Sequence, residues 1–257
     1  MKNNLTIKRI ISAVLAAIGL AGVILFRSKA IAEDATSGQK ALFSAALIVL
    51  MLGVIILITT FIKERKPADA KTLTMAAMMA ALCFVGFMVF KIDIPVPGSS
   101  EKSAFHLGNT FCVLAALILG GYWGGLAGAV GMTIGDLLGG YVTSAPKTFF
   151  LKLCIGLITG LIAHKVFKLS SVTDKKQLVW KTAVSAAAGM VFNVVADPIV
   201  GYFYKRYLFG LAQDLAKTLA KISAGTTLVN AIVAVIAATI FYLALRPALK
   251  RIMKGND

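Results

Sequence analysis

The chain has 257 residues, of which 58% are hydrophobic and only 15% are charged, and its mean hydropathy is +0.85. This composition excludes a soluble domain, whose surface needs more charged and amide side chains, and indicates that most of the chain is embedded in a membrane. The formal net charge of +16 does not indicate nucleic-acid binding, because the basic residues form short clusters between apolar runs, as in an oriented membrane protein.

Eight segments are long and apolar enough to be transmembrane helices. They are 10–26, 41–62, 73–90, 107–122, 123–142, 148–167, 182–204 and 226–245. The charged linker after the second segment predicts an N-terminal transmembrane hairpin with its linker (1–66) followed by a six-helix membrane core (67–257). The first segment ends in Ala30-Ile31-Ala32, which loosely resembles a signal-peptide cleavage site, but Arg27 and Lys29 just before it favour a retained helix.

The loops between the spans predict the orientation of the chain. Eight spans place both termini on one side, and that side carries most of the lysine and arginine residues. Because basic residues are retained in the cytoplasm, we expect a multi-pass protein of the cell membrane with both termini cytoplasmic.

The cysteine and histidine residues do not indicate a metal or disulfide site. Cys83, Cys112 and Cys154 lie singly inside apolar segments, so buried free thiols are expected. His106 and His164 belong to no metal-binding pattern. We predict no catalytic residue, no metal and no cofactor, and no phosphate-binding GxxxxGK[ST] motif occurs, so any ATP hydrolysis that the protein needs must come from another chain.

Polar residues within the predicted spans cluster in the outer half of the membrane. Ionisable side chains in a bilayer face partners or water, so this cluster predicts a pocket for a small polar ring compound. The candidate binding residues are His106, Asn109, Asp136, Lys152, Asn193, Asp197, Tyr202 and Asn230. Phe105 is a further aromatic candidate for the pocket. Residues 91–105 could form a lid over the pocket or an ordinary loop. Asp136 and Lys152 could form a structural ion pair with each other instead of binding a ligand.

Small residues on the third span predict a helix-packing face. Ala76 and Ala80, and likewise Ala77 and Ala81, lie four residues apart, which allows another helix to approach closely. The spacing alone leaves open whether that helix belongs to this chain or to a partner.

The segment from Phe105 to Gly160 resembles the substrate-binding S components of energy-coupling factor (ECF) vitamin transporters, in the branch with riboflavin-, hydroxymethylpyrimidine- and pyridoxine-type members. The features that carry the resemblance are His106-Leu107-Gly108-Asn109, then GGYWGGLAGAVGMTIGDLL from Gly120 to Leu138, then Pro146, Thr148, Lys152 and the run from Gly156 to Gly160.

The resemblance implies a non-enzymatic binding subunit that captures a vitamin or vitamin precursor outside and delivers it inward with a transmembrane T subunit and two ATPase subunits. It implies that the alanine face formed by Ala76, Ala77, Ala80 and Ala81 docks on the T subunit. It also implies that the pocket lies between residues 91–105 and the outer ends of the last three helices. The N-terminal hairpin and a long external segment through Ala224 depart from the family pattern.

Two other functions stay open at this level. A stand-alone proton-coupled small-molecule transporter could use Asp136 or Asp197 as a proton relay. An integral-membrane enzyme is disfavoured, because no cluster of nucleophile, base or metal ligands is visible. The identity of the vitamin is not predicted.

Overall fold

The computed structural model describes residues 2–30, 69–96 and 101–254, together with isolated residues between 38 and 53. Contacts divide the chain into two units, 1–68 and 69–257. In the first unit, helix α1 spans Lys2–Ala30, and a side chain at Gly53 would overlap the backbone of Ala16, so two segments approach closely there. The predicted second helix, 41–62, falls largely outside the described residues.

The second unit begins with helix α2 (Ala70–Met88), whose first turn is capped by a hydrogen bond from the Thr72 amide to the Asp69 carboxylate. A short antiparallel hairpin follows, with strand β1 at Lys91–Pro95 and strand β2 at Lys102–His106. The predicted external segment 91–105 is therefore a hairpin and not an irregular loop. The alternation of Ile92 and Ile94 with polar residues favours this conformation.

Helix α3 (Gly108–Leu138) folds back on itself at Gly120, where φ is +79°. Only glycine adopts this backbone conformation readily, so the chain can reverse direction here within one residue. A side chain at Gly124 would overlap the backbone of Ala116, and one at Gly108 would overlap the Met132 sulfur, so the two halves are antiparallel. The predicted fourth and fifth spans are these two halves, with the turn slightly earlier than expected.

Helix α4 (Ala145–Gly160, extended by a π-helical turn at Leu161–Val166) packs against the second half of α3. Its glycines make the contact, because side chains at Gly156 or Gly160 would overlap the backbone of Gly125 or Gly121. Close backbone approach maximises van der Waals contact, which is the main force between helices in lipid.

The last two helices are α5 (Lys175–Phe203, with a π-helical turn at Tyr204–Leu208) and α6 (Gln213–Lys254). Residues 213–224, which the sequence interpretation placed in a long external segment through Ala224, are helical, because α6 already begins at Gln213. Asp214 suits the first turn of a helix, and Ala216 and Leu219 are buried, so this stretch is helical although it is too polar to register as a span.

Five helices of the described residues are long and apolar enough to cross a membrane, and α3 contributes two antiparallel segments. The predicted all-α membrane fold with a six-helix core is confirmed. The main apolar core includes Val113, Leu117, Ile155, Met190 and Ala234, and it fills the end of the bundle away from the β-hairpin. Polar side chains collect at the hairpin end.

Candidate functional site

A cavity opens at the end of the bundle that the β-hairpin covers. It encloses about 800 Å³ of empty space, including its open mouth. Strand β2 and helices α3, α4, α5 and α6 all contribute residues to its wall. The wall residues from these elements that have lysine, histidine, carboxylate or amide side chains are Lys102, His106, Asn109, Asp136, Lys147, Lys152, Asn193, Asp197, Lys205 and Asn230.

Lys152 presents a buried ammonium group to this cavity. Its side chain comes from α4, and the residue is only 7% exposed. Among the described residues no carboxylate lies within ion-pair distance of its Nζ atom and no hydrogen bond joins it, so the alternative of an Asp136–Lys152 ion pair is not realised. A buried charge without a partner is costly, so Lys152 is poised to donate to an acceptor placed in the cavity.

Within the part of the chain that the structure describes, four other buried polar atoms of the cavity wall also have no hydrogen-bond partner. They are His106 Nδ1, Asn109 Oδ1, Asp136 Oδ2 and Asn193 Oδ1. Buried polar atoms are normally hydrogen-bonded, so four on one wall indicate a surface built to face a ligand with hydrogen-bond donors.

Asp197 is also in the wall, but its oxygen atoms already have partners. Lys147 Nζ donates to Asp197 Oδ1 at 2.7 Å, and Thr227 Oγ1 lies 3.2 Å from Oδ2, which also accepts from Ser223. These contacts tie α4, α5 and α6 together at the mouth of the cavity. Asp197 is therefore the ion-pair partner of Lys147, whereas Lys152 has no ion-pair partner among the described residues.

Asn230 fixes the hairpin on helix α6. Its Nδ2 atom donates to the Ala104 carbonyl at 3.0 Å, and its Oδ1 atom accepts from the His106 amide at 3.0 Å. One amide side chain thus satisfies both a donor and an acceptor of strand β2. Although Asn230 lines the cavity, its polar atoms position the wall.

The hairpin is also held by charged contacts. Lys102 Nζ donates to Asp93 Oδ2 at 2.6 Å, and the Tyr141 hydroxyl donates to Asp93 Oδ1 at 2.7 Å. Burial raises the pKa of Asp93, but these two hydrogen bonds and the charge of Lys91 outweigh it and hold the pKa below its ordinary value. At the other edge of the hairpin, Lys205 pairs with Glu101.

His106 is held as a neutral imidazole at the edge of the cavity. Its ring packs edge-on against Phe87 at 4.9 Å between centroids. Burial, followed by the charge of Lys152, lowers the pKa of His106 to about 3. A neutral ring has one donor and one acceptor nitrogen, so His106 can pair with either kind of ligand group.

The structure brings seven of the eight candidate binding residues to this one cavity, and Tyr202 is the exception. Tyr202 packs edge-on against Phe203 and Tyr207 in an aromatic cluster, because it lies on another face of α5. Phe105 is also absent from the lining.

The sequence interpretation missed Lys147, Ser223 and Thr227, which also line the cavity. Ser223, Thr227 and Asn230 are spaced four and three residues apart along α6 and form a stripe on it. That spacing signals one helical face, but it is visible only if α6 begins before residue 226.

The alanines of α2 divide between two faces. Ala76 is buried, and a side chain at Gly131 would overlap the Ala80 carbonyl, so these two alanines pack against α3 within the same unit. Ala77 and Ala81 are exposed on a neighbouring face. The four-residue spacing thus serves internal packing on one face and leaves the other face open.

Comparison with known proteins adds one finding. The family model described as "ECF-type riboflavin transporter, S component" matches residues 68–247, which covers every residue of the cavity wall. No curated protein and no solved structure matches the chain.

Proposed function

This chain belongs to the family of ECF-type riboflavin transporter S components, and we propose that it binds riboflavin. It is a multi-pass membrane protein and the substrate-binding subunit of an ECF transporter. The cavity faces the outside of the cell, and both termini lie in the cytoplasm. The family is a class of transporter subunits and not of enzymes, so the cavity holds its ligand without transforming it.

The observation that carries the proposal is that, among the described residues, the buried ammonium of Lys152 has no ion pair or hydrogen bond and lies in a wall with buried acceptors that also lack partners. The pyrimidine edge of a flavin ring carries two carbonyl oxygens and one N–H group between them. Lys152 Nζ donates to a carbonyl of this edge, and Asp136 Oδ2 or Asn193 Oδ1 accepts from the N–H. Each group then gains the partner that it lacks in the protein alone.

The mouth of the cavity suits the hydroxyl groups of a ribityl chain. Ser144, Ser223 and Thr226 line the wall, and their hydroxyl oxygens can accept hydrogen bonds, although Ser223 already donates its proton to Asp197 and Thr226 donates to the Ser223 carbonyl. Lys147 and Lys205 are nearby, but each is already paired with a carboxylate, so the mouth is polar with little uncompensated charge.

Transport into the cell requires partners. We propose that Ala77 and Ala81 dock on a transmembrane T subunit, because both residues are small and lie exposed on a membrane helix. We also propose that two ATPase subunits drive the release of riboflavin inside the cell. The N-terminal hairpin (1–66) is a separate domain outside the transport core.

The test of substrate binding is a titration of the detergent-purified full chain with riboflavin, followed by quenching of flavin fluorescence. Lys152→Met, which keeps the length of the side chain and removes its charge, should weaken binding about 10- to 100-fold, the range expected for a hydrogen bond to a charged group. Lys217→Met, at an exposed position of α6 outside the cavity, is the control and should bind as the wild type does. An unchanged Kd in Lys152→Met would overturn the assignment.

A second experiment separates ATP-driven uptake from the proton-coupled alternative. Cells that express the chain with its T and ATPase subunits should take up riboflavin, and disabling ATP hydrolysis in both ATPase subunits should abolish uptake. Uptake that survives this change but is abolished by a protonophore would support the stand-alone transporter instead.

A further inference from the structure

The connection between α4 and α5 carries a basic surface at the end of the bundle opposite to the cavity. We define this surface, the basic connection, by Lys165, Lys168, Lys175 and Lys176. All four side chains are exposed, and among the described residues no carboxylate pairs with any of them. The one acidic residue there, Asp174, accepts a hydrogen bond from the Gln177 amide at 2.8 Å and caps α5.

The backbone of the basic connection is held on the bundle. Arg246 of α6 donates to the Leu169 carbonyl at 2.9 Å and also to the Val172 carbonyl. Leu169 and Val172 are both buried in the main apolar core. The four lysines therefore project from a backbone that the tertiary structure fixes in place.

An aromatic and apolar surface lies next to these lysines. Trp180, on the second turn of α5, is 47% exposed and packs edge-on against Phe167 at 5.2 Å between centroids. Val166 and Val179 are also exposed. Tryptophan beside lysine is typical of the boundary between lipid headgroups and hydrocarbon.

Helix stability does not account for the position of two of the lysines. Lys175 and Lys176 occupy the first turn of α5, which holds no acidic residue. The N-terminus of a helix carries a partial positive charge, so cations in its first turn are unfavourable. An external anion would remove this penalty.

We propose that the basic connection binds an anionic phospholipid. Its phosphate headgroup lies among Lys168, Lys175 and Lys176, and its acyl chains lie against Trp180 and Val166. An acidic soluble protein would match the lysines alone, whereas a phospholipid matches both the lysines and the apolar surface beside them.

The test uses native mass spectrometry of the detergent-purified full chain after addition of phosphatidylglycerol or phosphatidylcholine with identical acyl chains. The wild type should retain phosphatidylglycerol in preference to phosphatidylcholine. Lys175→Gln with Lys176→Gln should reduce phosphatidylglycerol retention at least tenfold, since each lysine near a headgroup contributes about fivefold in affinity.

The matched control is the double variant Lys217→Gln with Lys221→Gln, which removes the same charge from exposed positions of α6 near the cavity. It should retain phosphatidylglycerol as the wild type does. Equal retention of the two lipids by the wild type, equal losses in both double variants, or no loss in the first would each overturn the proposal. Thermal unfolding of both variants confirms that they are folded.

Discussion

Lys147 and Asp197 form an ion pair in the wall of the cavity, with 2.7 Å between Lys147 Nζ and Asp197 Oδ1. Both side chains are largely buried, at 9% and 15% exposure. The pair joins α4 to α5. Lys152, about 1.4 turns further along α4, faces the cavity without an ion-pair partner among the described residues.

The Lys147–Asp197 pair predicts non-additive mutational effects. Asp197→Asn leaves the Lys147 ammonium buried without its counter-charge and should lower the free energy of unfolding by about 3 kcal/mol. Adding Lys147→Gln removes the orphaned charge and should restore part of this loss. Thermal unfolding in detergent measures both effects, and a double variant less stable than either single variant would contradict the prediction.

Asn230 should control how firmly the hairpin covers the cavity. Asn230→Ala removes both side-chain hydrogen bonds to strand β2, so we expect about tenfold weaker riboflavin binding and faster proteolysis within residues 91–106. Thr239→Ala is the control, because the Thr239 hydroxyl bonds only within α6, to the Val235 carbonyl. Identical riboflavin affinities and cleavage rates in the two variants would show that Asn230 does not position the hairpin.

The exposed alanines of α2 should affect assembly without affecting binding. Ala77→Leu and Ala81→Leu add bulk on the open face, so riboflavin affinity should stay unchanged while copurification with the T subunit falls. Ala244→Leu, at an exposed alanine of α6, should leave both properties intact. If Ala77→Leu and Ala81→Leu copurify with the T subunit as the wild type does, that face is not the docking surface.

The glycine contact between α3 and α4 should be intolerant of a methyl group. Gly156→Ala places a Cβ atom against the backbone of Gly125, which cannot move aside as a side chain can, so it should destabilise the protein by about 1–3 kcal/mol. Gly225→Ala, at a helical position with open space around it, should be neutral or slightly stabilising. Comparison of the two unfolding temperatures checks the close contact directly.

His106 predicts an acid-sensitive stability. Its folded-state pKa of about 3 lies below the ordinary value of 6.5, so the unfolded state binds the proton more readily between these values and stability falls as the pH drops through this window. Between pH 7 and pH 5 the ligand-free protein should lose about 1–2 kcal/mol from this group. His106→Gln should lose less over the same interval, and equal losses in thermal unfolding would contradict a buried neutral histidine.

Several features were predictable from local pattern alone. Hydropathy predicted the membrane fold and the number of core helices, and the glycine run around Gly120 predicted a turn between two of them. The start of α6 was not predictable in this way, because residues 213–224 are too polar for a span and become helical through the burial of Ala216 and Leu219. The hydropathy of a segment predicts whether it contacts lipid, but it does not predict whether the segment packs against another helix.

The sequence by itself determined that this protein is a membrane bundle with polar residues collected toward one end, because the cost of placing charge in hydrocarbon is a property of each residue. Only the tertiary structure decided what each of those residues does. Asp197 is neutralised by Lys147 from another helix, Asn230 is occupied by strand β2, and Lys152 has no ion-pair partner in the described part of the chain. Such pairings depend on distances of a few ångströms between segments far apart in the chain, and composition and spacing do not contain those distances.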